Sequence, residues 1–299
     1  MVRVQALQLC LFVAGGAWLV TWLLSVLTRE YSWVDRIWSV IPVVYLAIFA
    51  GAAGFADARL NTMFALSALW GARLTFNFAR KGGYAPGGED YRWAVLRERM
   101  RPWQFQVFNV VFISFYQNVI LLLITLPGYT ALTNRTSYGA ADAVVTIVFL
   151  AFLAGETVAD QQQWNFQTWK KRELAAGREP GRRFVQTGLF RYSRHPNFFF
   201  EQAQWWAMFA FGAIAAGSPW QWTVAGAVLL TLLFAGSTRF TESITLGRYP
   251  EYAGYQRSTP AMIPWRRSAS GDRLGAARHD QQRADTEQGQ HRHGHEDVM

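Results

Sequence analysis

Residues 188–201, GLFRYSRHPNFFFE, set two arginines, a histidine, an asparagine and a glutamate against a strongly apolar run. Arg191 and Arg194 carry planar, fork-shaped donors that suit phosphate. His195 is the only histidine before residue 279. Pro196 biases His195 towards extended backbone and suits the first position of the helix that follows. The free N–H groups of that helix start can meet an anion. Asn197 and Glu201 then stand one turn apart on a single helix face. Glu156 and Asp160 repeat this spacing at the end of an earlier apolar run, and Gln163 and Gln167 prolong their face. Arg239 and Glu242, three apart, follow the last apolar run. Arginines for phosphates, with Asp160, Asn197 and Glu201 for sugar hydroxyls or a carboxamide, make the profile of a nucleotide cofactor.

The elements that must position these groups are apolar runs at 4–27, 37–54, 60–79, 105–126, 142–159, 197–217 and 219–236. A hydrocarbon core of about 30 Å needs about 20 apolar residues in helix, so the runs predict about seven transmembrane helices. The chain of 299 residues is 51% hydrophobic, with 14 Trp and 16% charged residues, below the roughly 25% of soluble domains. No alternating strand pattern is present, and the expected fold is an all-α, polytopic membrane bundle. The first run is too long, and too poorly followed by small residues, for a cleaved signal peptide.

Charge distribution orients the bundle. Segments 28–36, 80–104 and 160–195 hold 2, 6 and 8 Lys+Arg, against Arg3, Arg59 and Arg135 on the other side. By the positive-inside rule the basic segments and the C-terminal tail face the cytoplasm and the N-terminus lies outside. The net charge of +9 therefore reads as topology, with no nucleic-acid partner expected. The lone Cys10 excludes intramolecular disulfides and Cys-ligated metal sites, and no metal is expected. GxGxxG, GxxxxGK[ST] and HExxH are all absent. From Ser268 onward the sequence is polar and predicts a disordered tail, 268–299, after a membrane domain of 1–267. His291, His293 and His295 within that tail are assigned no site.

GLFRYSRHPNFFFE resembles the C-terminal signature of the steroid 5-alpha-reductase superfamily, in particular its bacterial branch of uncharacterised membrane proteins. The resemblance continues through ETVADQQQWNFQ (156–167) and RFTESITLGRYPEYAGYQRSTPAMIPW (239–265), and earlier through WSV after Asp35 and ALWGARLTFNFARKGGYAPGGEDYRW (68–93). It is dense over 150–265. The resemblance implies seven helices, an NADPH pocket facing the cytosol and built from the last three, and reduction of a polarised carbon–carbon double bond in a lipid. Its cofactor positions fall on Asp160, Asn197 and Glu201, with Arg191, Arg194, His195, Arg239 and Glu242 nearby. Steroid reductases carry Asn-x3-Asp-x6-Arg where this chain has Glu156, Asp160 and Gln167, so only the aspartate agrees.

Hydride transfer to an enone needs a donor on the carbonyl oxygen as charge develops there. Asp35 and Tyr91 are the candidate catalytic residues, with Glu89 and Asp90 in the same GGEDYRW loop. Arg73 lies within the 60–79 run, placed either to serve the site or to snorkel to the interface, and Asn77 and Arg80 continue its face. Gln106, Asn109 and Gln117 form a polar stripe on the 105–126 run. The expected activity is NADPH-dependent reduction of a sterol-like or long-chain enone lipid, with membrane lipids and a hydrophobic small molecule as partners. The alternatives are a membrane methyltransferase using S-adenosylmethionine, similar to isoprenylcysteine carboxyl methyltransferases in its RHP lip and Arg-x-x-Glu, and a non-catalytic lipid-binding protein of the same fold.

Overall fold

The computed structural model describes residues 2–265, all-helical and without a strand among them. The polar tail expected from Ser268 lies outside the described residues. The helices are α1 (Val2–Thr28), α2 (Trp33–Ile37), α3 (Ile41–Ala52), α4 (Ala58–Arg80), α5 (Tyr91–Arg99), α6 (Pro102–Phe108), α7 (Gln117–Leu123), α8 (Leu126–Thr133), α9 (Ala140–Ala175), α10 (Pro196–Ala216), α11 (Val224–Arg248) and α12 (Tyr252–Ser258). A π-helical stretch, Asn109–Tyr116, joins α6 to α7, and a 3-10 turn covers Gly188–Arg191.

Five helical stretches among the described residues are long and apolar enough to cross a membrane: Val2–Thr28, Trp33–Ala52, Pro102–Thr133, Ala140–Ala175 and Val224–Arg248. These are the helices of an integral membrane protein. The expected count of about seven is not confirmed by these five. The runs at 60–79 and 197–217 do form helices, α4 and α10, but both are diluted by polar side chains such as Arg73 and Asn77 or Glu201 and Gln204. At 1.5 Å per residue the 36 residues of α9 measure about 54 Å, well beyond a hydrocarbon core of about 30 Å.

The described residues divide into two compact units: 2–160 with 200–237, and 161–199 with 238–265. The first has a core of large side chains that includes Trp70, Tyr45, Phe49, Phe149 and Phe211. Gly71 lets α4 approach α3 and the turn before it closely, since a Cβ there would lie 2.4 Å from the Ser39 carbonyl oxygen and 2.9 Å from Val43 Cγ2. Two residues of the polar stripe on the 105–126 run, and Asn118 beside it, bond to α1 or to the residues just after it. Asn109 Nδ2 donates to Ser25 Oγ (2.9 Å), Asn118 Nδ2 to Thr21 Oγ1 (3.3 Å), and Gln106 Nε2 to the Tyr31 hydroxyl (3.1 Å). Side-chain bonds of this kind hold helices together where lipid offers no partner.

Two buried ion-pair centres sit along α4. Near its start Arg59 makes a bidentate pair with Asp142 on α9 (2.6 and 2.8 Å), and both side chains are 1% exposed. Thr136 and the Ser137 carbonyl take its remaining donors. Arg73 lies 14 residues further along, about 21 Å by helix rise.

In the second unit the segment before α10 pairs with the segment after α12. Arg194 N donates to the Pro260 carbonyl (2.9 Å), His195 N to Ala261 (2.9 Å) and Trp265 N to Tyr192 (3.0 Å). Ser193 Oγ donates to the Met262 carbonyl (2.6 Å), and the Tyr255 hydroxyl to the Phe190 carbonyl. Phe184 stacks on Tyr255 and meets Tyr252 edge-on.

Candidate functional site

The first unit gathers three carboxylates on one guanidinium. Arg73 Nη1 donates to Asp160 Oδ2 (2.5 Å), and Nη2 to Glu156 Oε1 (2.7 Å) and, more distantly, to Glu201 Oε2 (3.5 Å). Glu156, Asp160 and Glu201 are 4%, 5% and 4% exposed. The helical spacings explain the convergence. Trp70, Arg73 and Asn77 share one face of α4, Glu156 and Asp160 one face of α9, and Glu201 and Gln204 one face of α10. Gly155 makes room for α10 beside α9, because a Cβ there would meet the Phe200 ring at 2.6 Å.

Neutral donors complete the shell. Asn77 Nδ2 donates to Asp160 Oδ2 (2.8 Å), Gln204 Nε2 to Glu156 Oε2 (2.6 Å), and Trp70 Nε1 to both Glu201 oxygens (3.1 Å each). Trp205 Nε1 adds a bond to Glu201 Oε1 (3.3 Å). Two buried atoms of this group have no partner: Arg73 Nε, a donor, and Gln204 Oε1, an acceptor. Buried polar atoms are usually satisfied, so one donor and one acceptor of this group stand out as unsatisfied.

Arg194, His195 and Glu242 come together in the second unit. Arg194 grips Glu242 bidentately (2.6 and 2.9 Å), and its Nη1 donates to the carbonyls of Gln256 (3.0 Å) and Thr259. His195 Nε2 lies 3.0 Å from Glu242 Oε1, which the Tyr252 hydroxyl also reaches (3.2 Å), while Gln256 Nε2 donates to Oε2 (2.9 Å). Burial alone would lower the pKa of the Arg194 guanidinium, but its pairing with Glu242 outweighs that and raises it. This carboxylate is saturated by its own unit, and every terminal nitrogen of Arg194 is committed there.

Arg191 and Arg239 are exposed, and Asn197 is half-buried in the first turn of α10. Asp35 accepts a bond from Trp93 Nε1 (3.2 Å), close to Asp90 and Arg92. Tyr91 opens α5 at 52% exposure, after the N-cap Asp90. The Asp35–Trp93 bond is distinct from those of the Arg73 group.

Sequence reasoning missed Trp70, Gln204 and Trp205. The signal for Trp70 was present, since it precedes Arg73 by three residues on the face that Asn77 and Arg80 continue. Gln204, three residues beyond Glu201, carries a similar cue.

The chain is 38% identical over 268 residues to "Uncharacterized protein C594.04c" of Schizosaccharomyces pombe, an alignment covering 85% of this chain and 77% of that protein. No solved structure matches. The family model described as "Protein of unknown function (DUF1295)" matches residues 21–259. The chain belongs to this family, which falls within the steroid 5-alpha-reductase-like group.

Proposed function

We propose that the protein is a membrane-embedded, NADPH-dependent reductase of a carbon–carbon double bond in a sterol-like or long-chain enone lipid. The observation that carries this reading is the Arg73 group. Asp160 and Glu201, two positions that the resemblance gives to the cofactor, share one buried guanidinium with Glu156. Ionisable side chains at membrane depth are costly and usually functional.

The donor set fits the nicotinamide-ribose end of the cofactor. A primary carboxamide offers both an acceptor for Arg73 Nε and a donor for Gln204 Oε1, and ribose hydroxyls suit Asp160 and Glu201. Bound NADPH would supply the hydride. Trp70 and Trp205 hold the Glu201 carboxylate in place and wall it with apolar rings. Asp35 and Tyr91 remain the candidates for polarising the enone oxygen. Tyr45 joins them, because its fully buried hydroxyl has no partner. Apolar residues exposed along the spanning helices suit entry of the substrate from lipid.

One observation favours the methyltransferase reading. Arg194, His195 and Glu242, residues of the RHP lip and the Arg-x-x-Glu that it shares, do meet in one cluster. A single experiment separates the readings: melting temperature of the detergent-purified protein with NADPH, NADH and S-adenosylmethionine. NADPH at about 100 times its Kd should stabilise the native state by about 2.7 kcal/mol. Glu201→Gln and Glu201→Leu should each abolish that response. Stabilisation by S-adenosylmethionine alone would transfer the site to methyl transfer, and no response to any of the three would favour a non-catalytic lipid-binding protein.

We also propose seven crossings with the N-terminus outside, α4 and α10 crossing as polar-faced helices. A fusion of alkaline phosphatase to the C-terminus should then be inactive and a fluorescent-protein fusion bright. High phosphatase activity would overturn this topology.

A further inference from the structure

The second unit carries a cluster of cations that neither the Arg73 group nor the Arg194–Glu242 clasp uses. Lys170 on α9 donates from Nζ to the Tyr249 hydroxyl (3.1 Å) and to the Arg183 carbonyl (2.8 Å), and its ammonium sits 4.9 Å from the Tyr249 ring centroid. Arg248, the exposed last residue of α11, adjoins Tyr249 in the chain. The bond from Lys170, with the charges of Lys170, Arg248 and Arg183, holds the Tyr249 phenol below its ordinary pKa. Lys170 thus meets the phenol directly, and the charges of Arg183 and Arg248 act on it as well.

Their only acidic ion-pair partner among the described residues is Glu179, 3.0 Å from Arg183. That pair contributes little, because the Glu179 side chain is 85% exposed. The cluster is also reachable from solvent, with the Arg183 side chain 35% exposed. Tyr249 accepts the Lys170 bond, so its own proton is left to be donated elsewhere. An ammonium, two guanidinium forks and a phenol O–H together match a doubly charged phosphate oxyanion better than a single carboxylate.

We propose that Lys170, Arg183, Arg248 and Tyr249 form a binding site for a phosphate monoester. This chemistry occurs in soluble nucleotides and in the headgroup of phosphatidate, and the site rests on neither reading of the reaction. The competing account is that Lys170 and Arg248 only offset the negative ends of α9 and α11. In that case their charges would affect stability but not ligand affinity.

The experiment uses the full-length protein and two probes. The soluble probe is 2′,5′-ADP, titrated calorimetrically in detergent with inorganic phosphate as competitor. The lipid probe is phosphatidate, counted by native mass spectrometry after extraction from phosphatidylcholine nanodiscs doped with it. Lys170→Met combined with Arg248→Gln should weaken binding of one probe by at least about tenfold, the loss expected for charge-assisted bonds. Lys170→Arg combined with Arg248→Lys keeps both charges and should lose markedly less. A loss confined to 2′,5′-ADP identifies a soluble phosphoester as the ligand, and one confined to phosphatidate identifies the lipid. If the double variant fails to fold, Arg248→Gln alone tests the site from an exposed position and should still weaken binding several-fold. Equal binding by wild type and the charge-removing variants, or no binding of either probe to the wild type, would overturn the site.

Discussion

Arg73→Met is expected to destabilise the protein by about 3–5 kcal/mol, a fall in Tm on the order of 10 °C. The substitution keeps most of the side-chain volume and suits a membrane interior, so packing loss is small. What changes is charge. Glu156, Asp160 and Glu201 lose the one guanidinium that bonds all three, and all three are buried. Stranding a buried charge costs far more than an ion pair contributes. Arg73→Lys should fall between, because a single ammonium cannot reproduce a fork that reaches two helices. Combining Arg73→Met with Glu156→Gln, Asp160→Asn and Glu201→Gln removes the stranded charges and should recover most of the lost stability. It should not bring a full response to NADPH, since each carboxylate acceptor for the ribose is exchanged for an amide with one acceptor oxygen and a competing NH2 donor. Fluorescence-detected size exclusion after heating measures all three variants. An Arg73→Met protein that melts within a degree or two of wild type would return the three carboxylates to ordinary contact with water and headgroups.

The helices themselves were legible because apolar runs of spanning length need no tertiary context. The carboxylate pairs were legible for a similar reason. Glu156 with Asp160, and the face of α10 that carries Glu201, depend only on helix period. The partners were not legible. Arg73 reads equally as a snorkelling residue until α4, α9 and α10 are brought together, and its contacts lie 83 to 128 residues away in sequence. The same limit applies to Gln106 and Asn109. Their stripe was visible but its partners were not, and two of its members bond to Tyr31 and to Ser25 of α1. The π-helical stretch at Asn109–Tyr116 was invisible as well. It changes which carbonyl each N–H meets while leaving the apolar pattern almost unaltered. The count of seven spans is left unconfirmed where helices are two-faced. α4 and α10 place polar side chains in the Arg73 group, and that function lowers the hydropathy by which a span is recognised.

Arg194→Ala is the second substitution expected to have a large effect, and its character separates a structural clasp from a phosphate grip. The Arg194 fork meets both Glu242 oxygens, and its remaining terminal nitrogen meets the carbonyls of Gln256 and Thr259. Removing it leaves the buried Glu242 with His195, Tyr252 and Gln256 but no permanent cation. It also leaves two carbonyls near the end of α12 without their donor. The expected cost is about 3–5 kcal/mol, seen as a lower melting temperature and as faster proteolysis of residues 176–195 and 249–265, which the clasp ties together. Arg191→Ala makes the contrast. Arg191 is exposed, so its loss should change stability by less than about 0.5 kcal/mol. If it meets a cofactor phosphate, only NADPH affinity should fall, by roughly tenfold or more. Arg194→Met with Glu242→Gln removes both charges and should regain much of the stability lost in Arg194→Ala. An Arg194→Ala protein with unchanged melting and proteolysis, but with NADPH affinity gone, would overturn the clasp and make Arg194 a ligand-binding group.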